Sequence, residues 1–187
     1  MMKTRTPRKF LVSRITPEME KKLSFLTQNV QFGTHQRYEV WFQKSYLSSP
    51  ESQSLRPDLI RYIISVVHPS NEILQSNVMP RWAVIGWLLT TCTNQITSAN
   101  VKLALFFDWF FFSPDIDSIM NLEPAVLVMH HSIKQHPQVT ATLLDFLARM
   151  VRNFLPSSSE HVLQSVTAAL QNVKEKGVLP SLSLLLF

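Results

Sequence analysis

Apolar residues recur along most of this chain at the three- and four-residue spacing of a helix face, and clean apolar/polar alternation is rare. Thr16 as an N-cap with Pro17 in the first turn predicts a helix whose apolar positions are Met19, Leu23, Leu26 and Val30, interrupted at Gly33. A second helix, over 34–47, places Tyr38, Trp41, Phe42 and Tyr46 on one stripe, and SSPES then breaks the pattern. From Ser54 onward Leu59, Ile60, Ile63, Val66 and Val67 face inward and Asp58, Arg61 and Ser65 outward, until His68-Pro69 ends the run. A short helical turn covers 71–75. Pro80 opens a helix over 81–92 with Trp82, Ile85, Leu88 and Leu89 along one side and Trp87 widening the apolar face. The β-branched Val84, Ile85, Thr90 and Thr91 leave a strand there as the alternative. Four more helices are expected, over 97–111, from 121 or 123 to 132, 137–152 and 158–176. The last carries a capping box in Ser157 and Glu160, a stripe of Val162, Val166, Leu170 and Val173, and Gly177 where a C′ glycine belongs.

Alternate helices in this series begin about 40 residues apart, the period of a helix-pair solenoid of the HEAT or armadillo kind. The expectation is an all-α fold of about eight helices, with an irregular helical bundle as the other all-α arrangement. Three segments follow: a basic arm over 1–15, a helical repeat domain over 16–177, and an apolar tail over 178–187. That tail, VLPSLSLLLF, has no polar cap of the kind a terminal repeat needs, so it reads as a truncation end whose Leu179 and later leucines are uncovered.

Charge changes the picture at one end only. The net charge is +5, but residues 1–22 hold seven basic and two acidic side chains, and the rest of the chain carries eleven of each. The excess therefore belongs to an arm that includes Lys3, Arg5, Arg8 and Lys9, and direct nucleic-acid binding through that arm is the alternative function to weigh. The arm lacks the apolar run of a secretory signal, while a mitochondrial presequence stays open. The longest uncharged stretch, 82–101, is too rich in Thr, Asn, Gln and Ser to span a bilayer, so no membrane partner is expected. One cysteine, Cys92, makes no internal disulfide and no thiolate zinc site.

Catalytic chemistry finds few residues to use. His130 and His131 are adjacent and His136 lies beyond a break, so they do not share the helix face that a metal requires, and hydrogen bonding near a helix end is the better reading. Asp115, Asp117 and Glu123 lack the glycine of a calcium loop and suit helix N-capping. No basic neighbour in sequence activates Cys92, and neither a phosphate-binding glycine loop nor a G-x-S-x-G elbow occurs. No catalytic residue, cofactor or metal is expected. The aromatic run Phe106, Phe107, Trp109, Phe110, Phe111 and Phe112 is the feature that asks for explanation. It fits a helix buried on several sides, or a partner-protein anchor using Trp82, Trp87, Asp108, Trp109 and Phe112.

The stretches HPSNEILQSNVMPRWAVIGWLLTTCT (68–93), KLALFFDWFFFSPDIDSIMNLEPAVLVMHHSIKQHP (102–137) and TATLLDF (140–146) resemble the Integrator subunit 3 family, whose members also form part of the sensor-of-single-stranded-DNA (SOSS) complex. ITPEMEKKL and QSLRPDLIRYI extend the resemblance over roughly 8–178. It implies a non-catalytic, nuclear helical-repeat scaffold. Its partners by resemblance are an OB-fold single-stranded-DNA-binding protein and a small third subunit, in double-strand-break repair and checkpoint signalling. It further implies other Integrator subunits and small nuclear RNA processing, with nucleic-acid contact mostly indirect. A start at an internal methionine and a tail that leaves the family pattern from Gly177 point to a truncated or partial form.

Overall fold

The computed structural model describes residues 14–179. The arm residues Lys3, Arg5, Arg8 and Lys9, and the tail beyond Leu179, lie outside the described residues. Among those described there is no strand, and the single extended pairing is an antiparallel bridge between Gln31 and Val78. They fall into two compact units, 14–104 and 105–179.

In the first unit, α1 (Pro17–Asn29) starts where expected, with the Thr16 hydroxyl accepting the Met19 N–H, and it buries Met19, Leu23 and Leu26. Gly33, at φ 103°, makes the reversal into α2 (Gln36–Tyr46). A 3-10 turn (Glu51–Leu55) runs into α3 (Arg56–Ser65), which buries Leu59, Ile60 and Ile63. The helix stops at Ser65, short of His68-Pro69. A one-turn α4 (Asn71–Leu74), capped by Ser70, leads to α5 (Arg81–Thr90). The segment with strand-forming residues is thus helical: Val84, Ile85, Leu88 and Leu89 share a face that packs on α3, and burial of that stripe outweighs β propensity. Arg56 is fully buried between the two helices and donates to the Gln53 Oε1, the Leu88 carbonyl and the Thr91 hydroxyl.

α6 (Gln95–Phe106) carries the chain across the division between the units and ends five residues before the expected boundary, where a 3-10 turn (Phe107–Phe111) takes over. Phe106 meets Trp109 edge-on at 5.5 Å, and both are buried together with Phe110 and Phe112. That change of helix type is how the chain covers aromatic residues that one α-helical face cannot. Ser118 caps a short 3-10 turn (Ile119–Asn121), ahead of α7 (Glu123–Gln135). Asp117 instead accepts the Ser113 N–H and closes the loop, a correction to the N-capping role expected of it, while Glu123 stands in the first turn of α7.

A single residue, His136, separates α7 from α8 (Pro137–Asn153), and the buried Thr140 hydroxyl donates across the junction to the Met129 carbonyl. α9 (Ser159–Glu175) buries Val162, Val166, Ala169 and Val173. Its start corrects the expected capping box: 156–158 form a 3-10 turn and no side-chain cap bond is made by Ser158, the N-cap residue. Its end follows the expectation. Gly177 has φ 64°, the Val178 N–H reaches the Val173 carbonyl, and the Gly177 N–H reaches the Lys174 carbonyl, which is a Schellman motif. Leu179 is buried, so the first leucine of the tail is covered. α7 packs on α8, and α8 on α9, which also packs on the 107–111 turn. Helices packing on near neighbours in sequence are the arrangement expected of an all-α helix-pair solenoid, here with nine α-helices among the described residues.

Candidate protein-docking surface

α1 turns its buried stripe of Met19, Leu23, Leu26 and Thr27 inward, which leaves Lys22 and Phe25 at the edge of that face. On α2 only Phe42 is buried. The remaining members of the Tyr38–Trp41–Phe42–Tyr46 stripe stay at or near the surface: Trp41 is 44% exposed, as is Phe25, and Tyr38 and Tyr46 are half-buried. Phe25 and Tyr38 approach to 5.9 Å between ring centroids, and Trp41 meets Tyr46 edge-on at 5.9 Å. Two cations sit on these rings. The Lys22 Nζ lies 5.1 Å from the Trp41 centroid, and the Arg37 guanidinium lies 4.8 Å from that of Tyr38, donating to its hydroxyl at 3.0 Å. Between α1 and α2 these side chains line a groove of about 380 Å³.

The aromatic surface extends past the groove. Phe32, 48% exposed, stacks on His35 at 5.1 Å and meets Trp82 edge-on at 5.6 Å. Trp87 meets the buried Phe42 edge-on at 6.0 Å. Two of the residues expected from sequence as partner anchors, Trp82 and Trp87, are therefore half-buried and joined to the rings of α1 and α2. The other three belong to the second unit. Trp109 and Phe112 are core residues there, and Asp108 is half-buried, so solvent access within that set rests with Trp82, Trp87 and Asp108. Phe25, Phe32 and Trp41 were not among the expected anchors. For Trp41 the signal that could have found it is the width of the α2 stripe, which offers four aromatic residues where a short helix buries one; Phe25 on α1 and Phe32 before α2 carry no such signal.

Beside Phe32 lies an unusual acid. The Glu39 carboxylate is 3.9 Å from the His35 Nε2, and its side chain is 12% exposed. Burial pushes Glu39 from 4.5 up to about 7 and pulls His35 below 6.5, so near neutral pH His35 is mainly neutral and about half of the Glu39 carboxyls keep their proton. Because Glu39 binds its proton more tightly when folded, its stabilising contribution is complete below about pH 4.5 and is lost as pH rises through 7. His35 acts in the opposite sense below 6.5, and comparing two proteins that share His35 isolates the Glu39 share. Glu39→Gln is expected to stabilise the protein by roughly 1–2 kcal/mol at pH 8 and to change little at pH 4. Urea unfolding at both pH values checks this, and an equal effect at the two would refute it.

Among the described residues no group of three or more His, Cys, Asp or Glu side chains could hold a metal ion. His130 and His131 contact each other at 5.2 Å, with burial and His130 lowering the His131 pKa. Cys92 does have basic neighbours in space, Arg56 and Lys102, but burial outweighs them and pushes the thiol up. No described helix is long and apolar enough to cross a membrane.

A family profile described as Integrator complex subunit 3 N-terminal matches residues 1–187. The match runs through the tail, so the departure expected from Gly177 is not found. The chain is 61% identical over 183 residues to Integrator complex subunit 3 of Homo sapiens, covering 98% of this chain and 18% of that protein. It is 58% identical, with the same coverage, to the Danio rerio protein. To the Integrator complex subunit 3 homolog of Anopheles gambiae it is 55% identical over 97% of this chain and 17% of the relative. The chain thus spans less than a fifth of the length of these relatives.

Proposed function

The chain belongs to the Integrator complex subunit 3 N-terminal family, and from that premise we propose that it is a non-catalytic helical scaffold segment that holds partner proteins in an Integrator assembly. The observation that carries this reading is the half-exposed aromatic surface of α1 and α2, with Phe25, Phe32 and Trp41 each more than two-fifths exposed. Aromatic side chains of this kind are the usual energetic anchors of protein interfaces. The finer form of the proposal follows the family resemblance. The segment acts in the nucleus, in small nuclear RNA processing, and it also supports a SOSS-type complex with an OB-fold single-stranded-DNA-binding protein and a small third subunit in DNA repair.

Affinity purification of the tagged chain from nuclear extract, followed by mass spectrometry, tests it. The expected result is enrichment of other Integrator subunits, and of the OB-fold protein with its small companion, surviving nuclease treatment. Absence of every such subunit would overturn the scaffold reading. Recovery that disappears with nuclease would favour nucleic-acid binding through Lys3, Arg5, Arg8 and Lys9 instead.

A further inference from the structure

We propose that the groove between α1 and α2 is a docking site for an acidic peptide segment that carries an apolar anchor side chain. This rests on the scaffold reading above and names the chemistry of one partner. Phe25, Tyr38 and Trp41 form an apolar floor, and Lys22 and Arg37 stand over it on the faces of Trp41 and Tyr38. Among the described residues no carboxylate lines the groove, and neither cation is paired with one. A volume of about 380 Å³ takes one or two large side chains, far less than a whole domain surface. Stacking the two cations on rings restrains them, so less side-chain freedom is lost when a carboxylate arrives.

A single-stranded nucleic acid shares the negative charge but fits the geometry less well. Base stacking needs free ring faces and a line of cations along the backbone. Here Trp41 and Tyr38 each have a face covered by a cation, and among the described residues Lys22 and Arg37 are the only basic ones lining the groove.

A phage-displayed library of random 12-residue peptides, selected on the whole chain and counter-selected on a Lys22→Glu/Arg37→Glu double variant, tests this without reference to Integrator subunits. The expected consensus has two or more Asp or Glu flanking a Leu, Phe or Trp. The corresponding synthetic peptide should bind, by fluorescence anisotropy, at least about tenfold more weakly to the double variant and to Trp41→Ala. Raising the salt concentration should weaken it further. Circular dichroism establishes that each variant is folded, and Lys22→Gln/Arg37→Gln serves if charge reversal is not tolerated. No consensus, a consensus without acids, or equal binding to the variants would overturn the proposal. So would oligo(dT) of 12 nucleotides competing for the same groove. If wild-type protein and double variant recover the same Integrator subunits, the groove assignment fails and the scaffold reading stands. If neither recovers any while the acidic peptide binds, the reverse holds.

Discussion

Trp109→Ala is expected to cost about 3–5 kcal/mol of unfolding free energy, the range for deleting a fully buried large aromatic. The indole is completely inaccessible and meets Phe106 edge-on at 5.5 Å, and Phe106 in turn stacks on Phe146 of α8 at 6.3 Å. Removing it opens a cavity beneath the 3-10 turn on which α9 packs. The indole Nε1 is buried without a hydrogen-bond partner, so Trp109→Phe gives up one ring but also relieves an unsatisfied donor. The phenylalanine variant should therefore lose less than half as much. Denaturant unfolding followed by far-ultraviolet circular dichroism measures both. A loss below about 1 kcal/mol for the alanine variant would show that the indole is not packed as core. The same comparison separates core from surface: Trp41→Ala should change peptide binding with little effect on stability, and Trp109→Ala the opposite.

Periodic burial was the legible part of the fold. Met19, Leu23, Leu26 and Val30 at helical spacing, and Val162, Val166 and Val173 near the other end, are buried as the pattern requires, because one apolar face per helix is the arrangement that a layered helical fold rewards. Helix ends were less legible, since they depend on which of several competent groups wins a backbone bond. Thr16 does cap α1, but near α9 the chain forms a 3-10 turn over Pro156–Ser158 and the expected cap is not made. The break at Phe106 accompanies the burial of Phe106, Trp109, Phe110 and Phe112, a tertiary demand that no local propensity states.

For the site, the residue types were legible and their placement was not. The expected anchors drew on the densest aromatic run, 106–112, and that run is dense because it fills a core, with Phe106, Trp109, Phe110 and Phe112 all buried. The thinner α2 stripe was left exposed because α1 and its neighbours cover only Phe42. Pairing of Lys22 with Trp41, residues nineteen positions apart on different helices, has no trace in local sequence. Neither does Glu39's raised pKa, which comes from burial.

Arg56→Ala is expected to destabilise the first unit by about 3–5 kcal/mol, from a cavity plus acceptors left without donors. Among the described residues Arg56 is the largest charged side chain that is fully buried, and no carboxylate answers it. Instead its Nε donates to the Gln53 Oε1 at 2.7 Å, and its Nη1 donates to the Leu88 carbonyl at 2.9 Å and the Thr91 Oγ1 at 2.7 Å. Leu88 and Thr91 sit at the C-terminal end of α5, where the helix dipole favours a cation. Gln53 passes the connection on by donating to the Leu47 carbonyl, the cap of α2, at 2.6 Å. One guanidinium thereby ties the end of α2, the 3-10 turn, α3 and α5 together. Arg56→Met keeps most of the volume and removes the desolvation cost of the charge, but still strands the acceptors, so it should lose about 1–3 kcal/mol. A double-mutant cycle with Gln53→Ala decides whether the network acts as a unit: a coupling energy of at least about 0.5 kcal/mol is expected, and simple additivity would show that the two side chains contribute separately. Because α5 also presents Trp87 against Phe42, loosening this tie should reach the aromatic surface. Peptide binding in the groove should weaken in Arg56→Ala in proportion to the unfolded fraction, and it should recover fully wherever stabilising conditions restore the fold.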